Sequence, residues 1–227
     1  MTTEEHSDAR AVEGEGATVV AVPADLRGAV GVDAFVGALR EQGRRLEVLC
    51  LNAGVGRGGP FIENDLADEL SIVELNIVST LRLAKAVLPS MVQQGAGRVL
   101  VTSSIASEMP GSFQAVYNAS KSFLQSFTEA LQSELKDTGV TLTSLMPGPT
   151  DTEFFERADM MDTKVDQGPK DDPAEVARQG VDAVLAGEAR VTGGGLKTRV
   201  QDLASKVMPD KAKAAMHRNM AEPGSAE

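Results

Sequence analysis

Short apolar runs alternate along this chain with longer stretches whose apolar residues recur at helical spacing. The run Val48–Leu51 is almost continuously apolar, and residues 140–146 alternate before they stop at Pro147. Between these runs, residues 115–136 carry leucines and a phenylalanine on one helical stripe. Such alternation is typical of a parallel sheet covered by helices. We therefore predict an α/β fold with a doubly wound parallel sheet, in which both faces of the Val48–Leu51 strand are buried.

Length and charge limit the classes of function. A chain of 227 residues can form one sizeable α/β domain, and its net charge of −11 without a basic stripe makes nucleic acid an unexpected partner. The apolar runs are shorter than the ~18 residues of a membrane span, and no leader pattern opens the chain. We expect a cytoplasmic protein without a membrane partner. Cys50 is expected to be a small buried apolar residue, and His6 and His217 to be solvated rather than metal ligands.

Three side chains could form a proton-transfer site. Tyr117 and Lys121 stand four residues apart in a predicted helix, and Ser104 ends a strand-like run. Residues i and i+4 share a helix face, so the Lys121 ammonium can lie beside the phenol and lower a pKa that is ordinarily ~10. Such a phenol could exchange protons with an alcohol or a carbonyl. The pair alone is weak support, because helices carry Tyr-x-x-x-Lys by chance.

Further motifs follow in order along the chain. Asn52-Ala53-Gly54 ends the strand that contains Val48–Leu51, and Asn76 lies in the next predicted helix. Pro147-Gly148 follows the strand at residues 140–146. With Ser104 and the Tyr-Lys pair, this series resembles the short-chain dehydrogenase/reductase family from about residue 17 to about residue 185. The resemblance implies a Rossmann-like fold and an oxidoreductase that transfers hydride between a nicotinamide and a secondary alcohol or ketone.

The resemblance also implies a role for each matching residue. Tyr117 would be the general acid or base, Lys121 would lower its pKa and bind the nicotinamide ribose, and Ser104 would polarise the substrate carbonyl. Asn76 would hold a water that connects Lys121 to solvent. The cofactor would be NADP or NAD, with NADP preferred by analogy. Besides Tyr117 and Lys121, the residues implied to contact it are Asp25, Leu26, Asn52, Ala53, Gly54, Pro147, Gly148, Thr150 and Thr152.

The chain departs from the family at its front. Family members begin with a strand, then Thr-Gly-x-x-x-Gly-x-Gly and a helix whose amino end binds the pyrophosphate. Here residues 1–16 are acidic and polar, and Gly14-Glu15-Gly16 precedes a strand-like run instead of a helix. By resemblance, residues 17–26 form the family's third strand. We therefore expect an N-terminally truncated Rossmann-like sheet that lacks the first two strands and the first helix.

Three explanations of this departure are open. The chain could be a fragment of a longer gene product, a natural short variant, or a non-catalytic remnant that acts as a dimerisation or interaction module. The intact chemical residues favour the first. The expected organisation is a frayed acidic N-terminus at residues 1–16, an incomplete Rossmann-like domain at 17–200 and a C-terminal helical extension at 201–227.

The last predicted features are a lid and an oligomer. Residues 151–169 mix charges with four large apolar side chains, namely Phe154, Phe155, Met160 and Met161. This composition predicts a lid over a small carbonyl or alcohol substrate. The apolar side chains could line a pocket or pack the lid down. Asp172-Pro173-Ala174-Glu175 predicts the start of the next helix. The two long helices at 71–91 and 115–136 pair with symmetry mates in the family, so a homodimer or homotetramer is as plausible as a broad core face.

Overall fold

A computed structural model describes residues 14, 16–205 and 207–226 of the chain. The chain divides into two compact units, residues 1–45 and residues 46–227, and each is described by itself. The first unit contains helix α1 (Ala29–Glu41), in which Val32 and Val36 are buried. The two buried valines stand four residues apart and so share one face of the helix.

The segment before α1 is not a strand. Residues 17–25 form no strand, and the four strands found among the described residues all lie between residues 48 and 193. Asp25 instead accepts hydrogen bonds from the backbone amide and Nη1 of Arg27, at 3.1 and 3.3 Å, which closes a turn. The prediction of a third strand at residues 17–26 is therefore wrong, because an extended run becomes a strand only through a ladder with a neighbour. The acidic stretch at residues 1–13 lies outside the described residues.

The second unit is built on a four-stranded parallel sheet. Its strands lie in the order β1-β2-β3-β4, namely β1 (Val48–Leu51), β2 (Gly97–Thr102), β3 (Val140–Pro147) and β4 (Arg190–Gly193). All three pairs are parallel. The carboxyl ends of the strands therefore meet at one edge of the sheet, where α/β proteins bind ligands. This architecture confirms the predicted α/β fold.

Helices connect each strand to the next. Helix α2 (Leu66–Ile72), a π-helical turn (Val73–Val78) and α3 (Ser79–Gln94) join β1 to β2. The second connection contains a 3₁₀ helix (Ile105–Glu108) and α4 (Ala115–Glu134), and the third contains α5 (Phe154–Arg157), α6 (Lys164–Gln167) and α7 (Pro173–Ala186). Two helices follow β4, α8 (Leu196–Ser205) and α9 (Asp210–Ala221). The expected boundary at residue 200 falls inside α8.

Helix α7 forms where its capping residues predict it. The Asp172 carboxylate accepts a hydrogen bond from the Ala174 amide at 2.9 Å, Pro173 takes the first helical position, and Gly187 ends the helix at φ 73°. The helix packs on the sheet through a cluster of buried residues: Leu100, Leu145, Val176 and Val184. This cluster fixes α7 beneath the loops that follow β3 and β4.

Strand β1 is less buried than its sequence suggests. Leu49 and Leu51 are buried, whereas Cys50 is exposed. The prediction that both faces of this strand are buried is wrong, and so is the assignment of Cys50 to the core. The reason is position, because β1 is an edge strand of the described sheet.

None of the helices formed by the described residues combines the length and the apolar character that crossing a bilayer requires.

Candidate active site

The three residues of the predicted proton-transfer site meet at the carboxyl edge of the sheet. Ser104 follows the end of β2, while Tyr117 and Lys121 lie one turn apart in the first half of α4. The Lys121 Nζ lies 5.8 Å from the centre of the Tyr117 ring. The Ser104 hydroxyl lies within hydrogen-bonding reach of the Tyr117 phenol. The structure therefore brings together a phenol, an ammonium and a hydroxyl, as the sequence predicted.

Ser104 is held by the turn that it begins. Its Oγ accepts a hydrogen bond from the Ala106 amide at 3.1 Å, which caps the 3₁₀ helix. The same hydroxyl lies 3.3 Å from the Pro147 carbonyl oxygen, to which it can donate. The hydroxyl of Ser104 is thus fixed between the ends of β2 and β3.

Helix α4 is tied to this turn through its own polar side chains. Asn118 donates from Nδ2 to the carbonyl oxygens of Ala106 and Met109, at 3.1 and 3.2 Å. Ser122 donates to the Ser107 carbonyl oxygen at 2.7 Å. These bonds hold α4, and with it Tyr117, against the turn that carries Ser104.

Burial shifts the pKa of both titratable groups in the site. Burial raises the pKa of Tyr117 to about 12, and the hydrogen bond to Ser104 only partly lowers it. Burial lowers the pKa of Lys121 to about 8. The ammonium donates to the Thr102 carbonyl oxygen at 2.8 Å. The expected lowering of the phenol pKa by Lys121 is therefore not what this structure shows, because desolvation of the phenolate raises the pKa and Ser104, not Lys121, is the group that lowers it.

Asn76 locks the loop after β1 onto α4. It lies in the π-helical turn and is fully buried. Its Oδ1 accepts from the Val55 amide, and its Nδ2 donates to the Val55 carbonyl oxygen and the Ser120 hydroxyl, each at 2.9 Å. Ser120 in turn donates to the Tyr117 carbonyl oxygen at 2.7 Å. Asn76 thus has a clear clamping role here, while the water-holding role implied by the resemblance stays a prediction.

Two glycines let the loop after β1 approach the lysine and the tyrosine closely. A Cβ on Gly54 would lie 3.2 Å from Asn76 Oδ1 and 3.4 Å from Lys121 Nζ. A Cβ on Gly56 would lie 2.6 Å from the Phe154 ring and 3.3 Å from the Tyr117 ring. Side chains at these positions would press against Lys121 and Tyr117. The Asn-Ala-Gly motif therefore borders the site, with Ala53 exposed and Asn52 accepting a hydrogen bond from the Thr102 hydroxyl at 2.8 Å.

The loop after β3 is held by Asp171. The Asp171 amide donates to the Pro149 carbonyl oxygen at 2.8 Å, and its own carbonyl oxygen accepts from the Asp151 amide at 3.0 Å. Its carboxylate accepts from the Gly195 amide at 2.8 Å and from the Thr198 hydroxyl at 2.5 Å. Asp171 thereby joins the loop after β3 to the start of α8.

The loop after β3 also carries the other predicted cofactor contacts. Pro147 and Gly148 end and follow β3, and the Thr150 hydroxyl donates to the Gly148 carbonyl oxygen at 3.0 Å. Thr152 is exposed, and its Oγ1 accepts from the Phe154 amide at 3.3 Å. Asp25 and Leu26 belong to the first compact unit, so their role at the site stays a prediction.

Asp171→Ala is expected to destabilise the chain. The carboxylate makes two hydrogen bonds, and those to charged groups contribute ~1.5–3 kcal/mol each. We expect a loss of about 3 kcal/mol, which lowers the melting temperature by roughly 5–10 °C in a chain of this size. Thermal unfolding followed by circular dichroism measures this shift. The exposed Asp137→Ala serves as the matched control, and a similar small effect of both substitutions would contradict the assignment.

The glycine run after β4 is not a phosphate loop. The Gly194 amide donates to Gln179 Oε1 at 2.8 Å, and the Gly195 amide donates to the Asp171 carboxylate. Backbone amides that a phosphate would need are therefore already bonded to side chains.

The segment at residues 151–169 packs against α9 and also contacts Tyr117, while its role as a substrate lid stays a prediction. Phe155 and Met160 are buried in a cluster with Ala221 of α9. Phe154 instead faces the site, where its ring lies 5.1 Å from that of Tyr117. Met161 is exposed. The segment is thus packed down by two apolar side chains and presents a third to the phenol.

His217 is not on the solvated surface. It is buried, and its Nδ1 lies 2.9 Å from the Ser112 carbonyl oxygen. Burial lowers the pKa of its imidazole, and the bond to the Ser112 backbone partly raises it. The prediction is wrong because α9 contributes Ala221 to the buried cluster beneath the lid and so buries one side of the helix. His6 lies outside the described residues.

Sequence reasoning missed several residues that shape the site. Thr102 supplies the carbonyl that binds Lys121, Ser103 donates to the Lys121 carbonyl oxygen at 3.0 Å, and Ser120 bridges Asn76 to Tyr117. The run Thr102-Ser103-Ser104 at the end of a predicted strand was a usable signal, because polar residues there meet the ligand edge. Ser120 and Asp171 carried no such signal.

Fold and site together define an α/β protein with a serine, tyrosine and lysine centre at the carboxyl edge of a parallel sheet. A family model described as short chain dehydrogenase matches residues 2–162. The chain belongs to the short-chain dehydrogenase/reductase family.

Two curated relatives illustrate the similarity. The chain is 34% identical over 138 residues to a ketoacyl reductase, HetN, of Nostoc sp., covering 61% of this chain and 48% of the relative. It is 37% identical over 132 residues to sulfoacetaldehyde reductase 2 of Chromohalobacter salexigens, covering 57% and 52%. The chain therefore spans about half the length of these curated relatives.

Solved structures agree on the fold. A short-chain dehydrogenase from Sphingobium yanoikuyae in complex with NADPH superposes with a TM-score of 0.75 at 26% identity, over 87% of this chain and 77% of that chain. A short-chain dehydrogenase/reductase from Burkholderia phymatum in complex with NAD gives a TM-score of 0.79 at 21% identity, over 96% and 84%. The second likeness concerns the fold alone.

Proposed function

We propose that this chain carries the catalytic residues of an NADP- or NAD-dependent oxidoreductase. The enzyme would interconvert ketones and secondary alcohols. The observation that carries the proposal is the convergence of Ser104, Tyr117 and Lys121 at the carboxyl edge of the sheet. The convergence is supported from behind by the Asn76 hydrogen bonds. Family membership supports the same reaction class.

The residues at this edge of the sheet fit the nicotinamide and ribose part of such a cofactor. Gly54 and Gly56 bring the backbone of the loop after β1 close to Lys121 and Tyr117, where a Cβ would crowd its neighbours. The Lys121 ammonium has three donors, one of which binds Thr102, and the others suit ribose hydroxyls. A reduced nicotinamide bound there would supply a hydride to the carbonyl carbon.

The side chains of the chain would handle the proton. With a pKa of about 12, the Tyr117 phenol is protonated at neutral pH, so it can donate its proton to the carbonyl oxygen as the alcohol forms. The Ser104 hydroxyl would donate a hydrogen bond to the same oxygen and polarise the carbonyl. Lys121 would stabilise the phenolate left behind.

The wall beside the phenol favours an apolar substituent on the substrate. Phe154 lies next to Tyr117 and stacks edge-on against Phe155, with ring centres 5.4 Å apart. Aromatic rings at this position offer apolar contact and no hydrogen bond. We therefore propose that aryl or alkyl ketones are reduced better than polar hydroxyketones.

Cofactor titration followed by a ketone panel tests the proposal. We expect binding heat on calorimetric titration with NADPH or NADH, and cofactor oxidation that is faster with an aryl ketone than with a hydroxyketone. Absence of heat at millimolar cofactor would remove the proposal for this chain and leave the interaction-module alternative. Binding without turnover of any ketone would reject the substrate class alone.

A further inference from the structure

Helix α8 packs with its polar side inward and its apolar side outward. The inner face consists of Thr198, Asp202 and Ser205, which are all buried. The outer face carries three apolar residues of the helix and one just beyond its end, with exposed fractions of 79%, 57%, 66% and 84%: Leu196, Val200, Leu203 and Val207. Surface helices normally face the other way, with the apolar stripe on the core.

The inward polar side is fully accounted for by hydrogen bonds. Thr198 donates to Asp171, and Asp202 accepts from Arg190 Nη2 at 2.7 Å and from the Thr192 hydroxyl at 2.9 Å. Ser205 donates to the Asp202 carbonyl oxygen at 2.7 Å. These contacts fix the rotation of α8, so the outward direction of the leucines and valines is built into the fold.

The outer residues form one continuous stripe. Leu196, Val200, Leu203 and Val207 follow each other at intervals of four, three and four. Leu196, Val200 and Leu203 therefore share one face of α8, and Val207 continues the apolar run in the turn after the helix. A continuous exposed apolar stripe on a folded protein marks an interaction surface.

The charge beside the stripe selects its partner. Residues 196–218 contain six lysines and arginines against two aspartates, although the whole chain has a net charge of −11. One of those aspartates, Asp202, is buried against Arg190. Lys197 and Arg199 are exposed on α8 itself. Exposed cations thus accompany the exposed apolar residues on α8, in a protein that is acidic overall.

Acidic groups on the neighbouring helix α7 do not cancel this charge. The pKa of Glu175 is lowered first by its hydrogen bond with Arg178 and more weakly by the charge of Arg199. Asp182 is likewise paired with Arg178, at 3.2 Å. Both carboxylates share Arg178, the one cation of α7, so this helix keeps a single negative charge against the six cations of residues 196–218.

We propose that α8 docks the protein on an anionic lipid bilayer surface. Helices that lie in the membrane interface combine an apolar stripe with flanking lysine and arginine, and they bind by apolar burial together with attraction to anionic lipids. A second copy of the chain fits less well, because four side chains cover less than the roughly 800 Å² per partner of a standard interface. The contact is peripheral, and no span is needed.

Flotation with vesicles tests the docking surface. The whole chain is mixed with vesicles of phosphatidylcholine containing about one third phosphatidylglycerol, or of phosphatidylcholine alone. We expect the chain to float with the anionic vesicles only and to be released by salt. Leu203→Glu, and separately Val200→Glu, is expected to weaken partitioning by at least about tenfold, because each removes one anchored apolar side chain.

Ile62→Glu is the matched control, since Ile62 is 90% exposed and lies outside α8. This variant should float like the unchanged chain, and unaltered melting temperatures would show that all variants fold. Equal partitioning of Leu203→Glu and the unchanged chain, or equal binding to neutral vesicles, would overturn the proposal. Failure of the unchanged chain to float with anionic vesicles would also overturn it. In that case, sedimentation would show whether the chain is a monomer or a dimer that Leu203→Glu dissociates, and either result rejects the membrane proposal.

Discussion

Tyr117→Phe is expected to lower ketone reduction roughly 10²–10⁴-fold, the range that a positioned general acid contributes. The substitution removes the phenolic oxygen and keeps the ring, so the contact with Phe154 at 5.1 Å is preserved. Cofactor binding heat should therefore remain, while kcat falls. Steady-state kinetics and calorimetry on the same preparation measure the two effects separately.

The chain offers a clean control for this substitution. Ser126→Ala also deletes one hydroxyl from α4, but at an exposed position, and should leave kcat unchanged. Because the chain contains one tyrosine and no tryptophan, near-ultraviolet absorbance on alkaline titration reports Tyr117 alone. We expect ionisation with a pKa of about 12. Full activity of Tyr117→Phe would exclude the phenol as the proton donor.

Lys121→Met is expected to lower kcat about 100-fold and to weaken cofactor binding as well. The ammonium would contact both the phenolate and the ribose, and a charge-assisted hydrogen bond contributes up to ~3 kcal/mol. Methionine keeps the length of the side chain, so the helix face stays filled. Lys85→Met, on the exposed side of α3, is the control. A variant with normal kcat and normal cofactor affinity would contradict the assigned role.

The same substitution has a pH signature in stability that does not depend on activity. Burial lowers the pKa of Lys121 to about 8, below its unfolded value of 10.5. The folded state therefore binds fewer protons than the unfolded chain between these values, and stability rises with pH. From pH 7 to pH 9 this group should add about 1 kcal/mol. Urea unfolding at both pH values should show the gain in the unchanged chain and a smaller one in Lys121→Met.

Local chemistry explains what the sequence could predict. The capping residues of α7, the alternation in β3 and the helical stripe of α4 act within a few residues, so their elements appear close to the expected bounds. The spacing of Tyr117 and Lys121 places both on one face of α4 for the same reason. The end of β2 at Thr102 placed Ser104 at the ligand edge.

Contacts between distant segments explain what the sequence could not predict. The π-helical turn around Asn76 depends on the loop after β1, and Asp171 binds the loop after β3 and the start of α8. The burial of His217 depends on the position of α9, and the raised pKa of Tyr117 depends on desolvation by the surrounding site. The absent strand at residues 17–25 lacked a ladder partner, which no propensity of its own residues could replace.

Cys50 gives the molecule a unique site for thiol labelling. It is the only cysteine of the chain and lies exposed on the edge strand, between two buried leucines that hold the backbone in place. A maleimide dye or nitroxide attached there would be homogeneous without any engineering of competing thiols. Its signal would respond to whatever approaches the exposed side chain of Cys50 on β1.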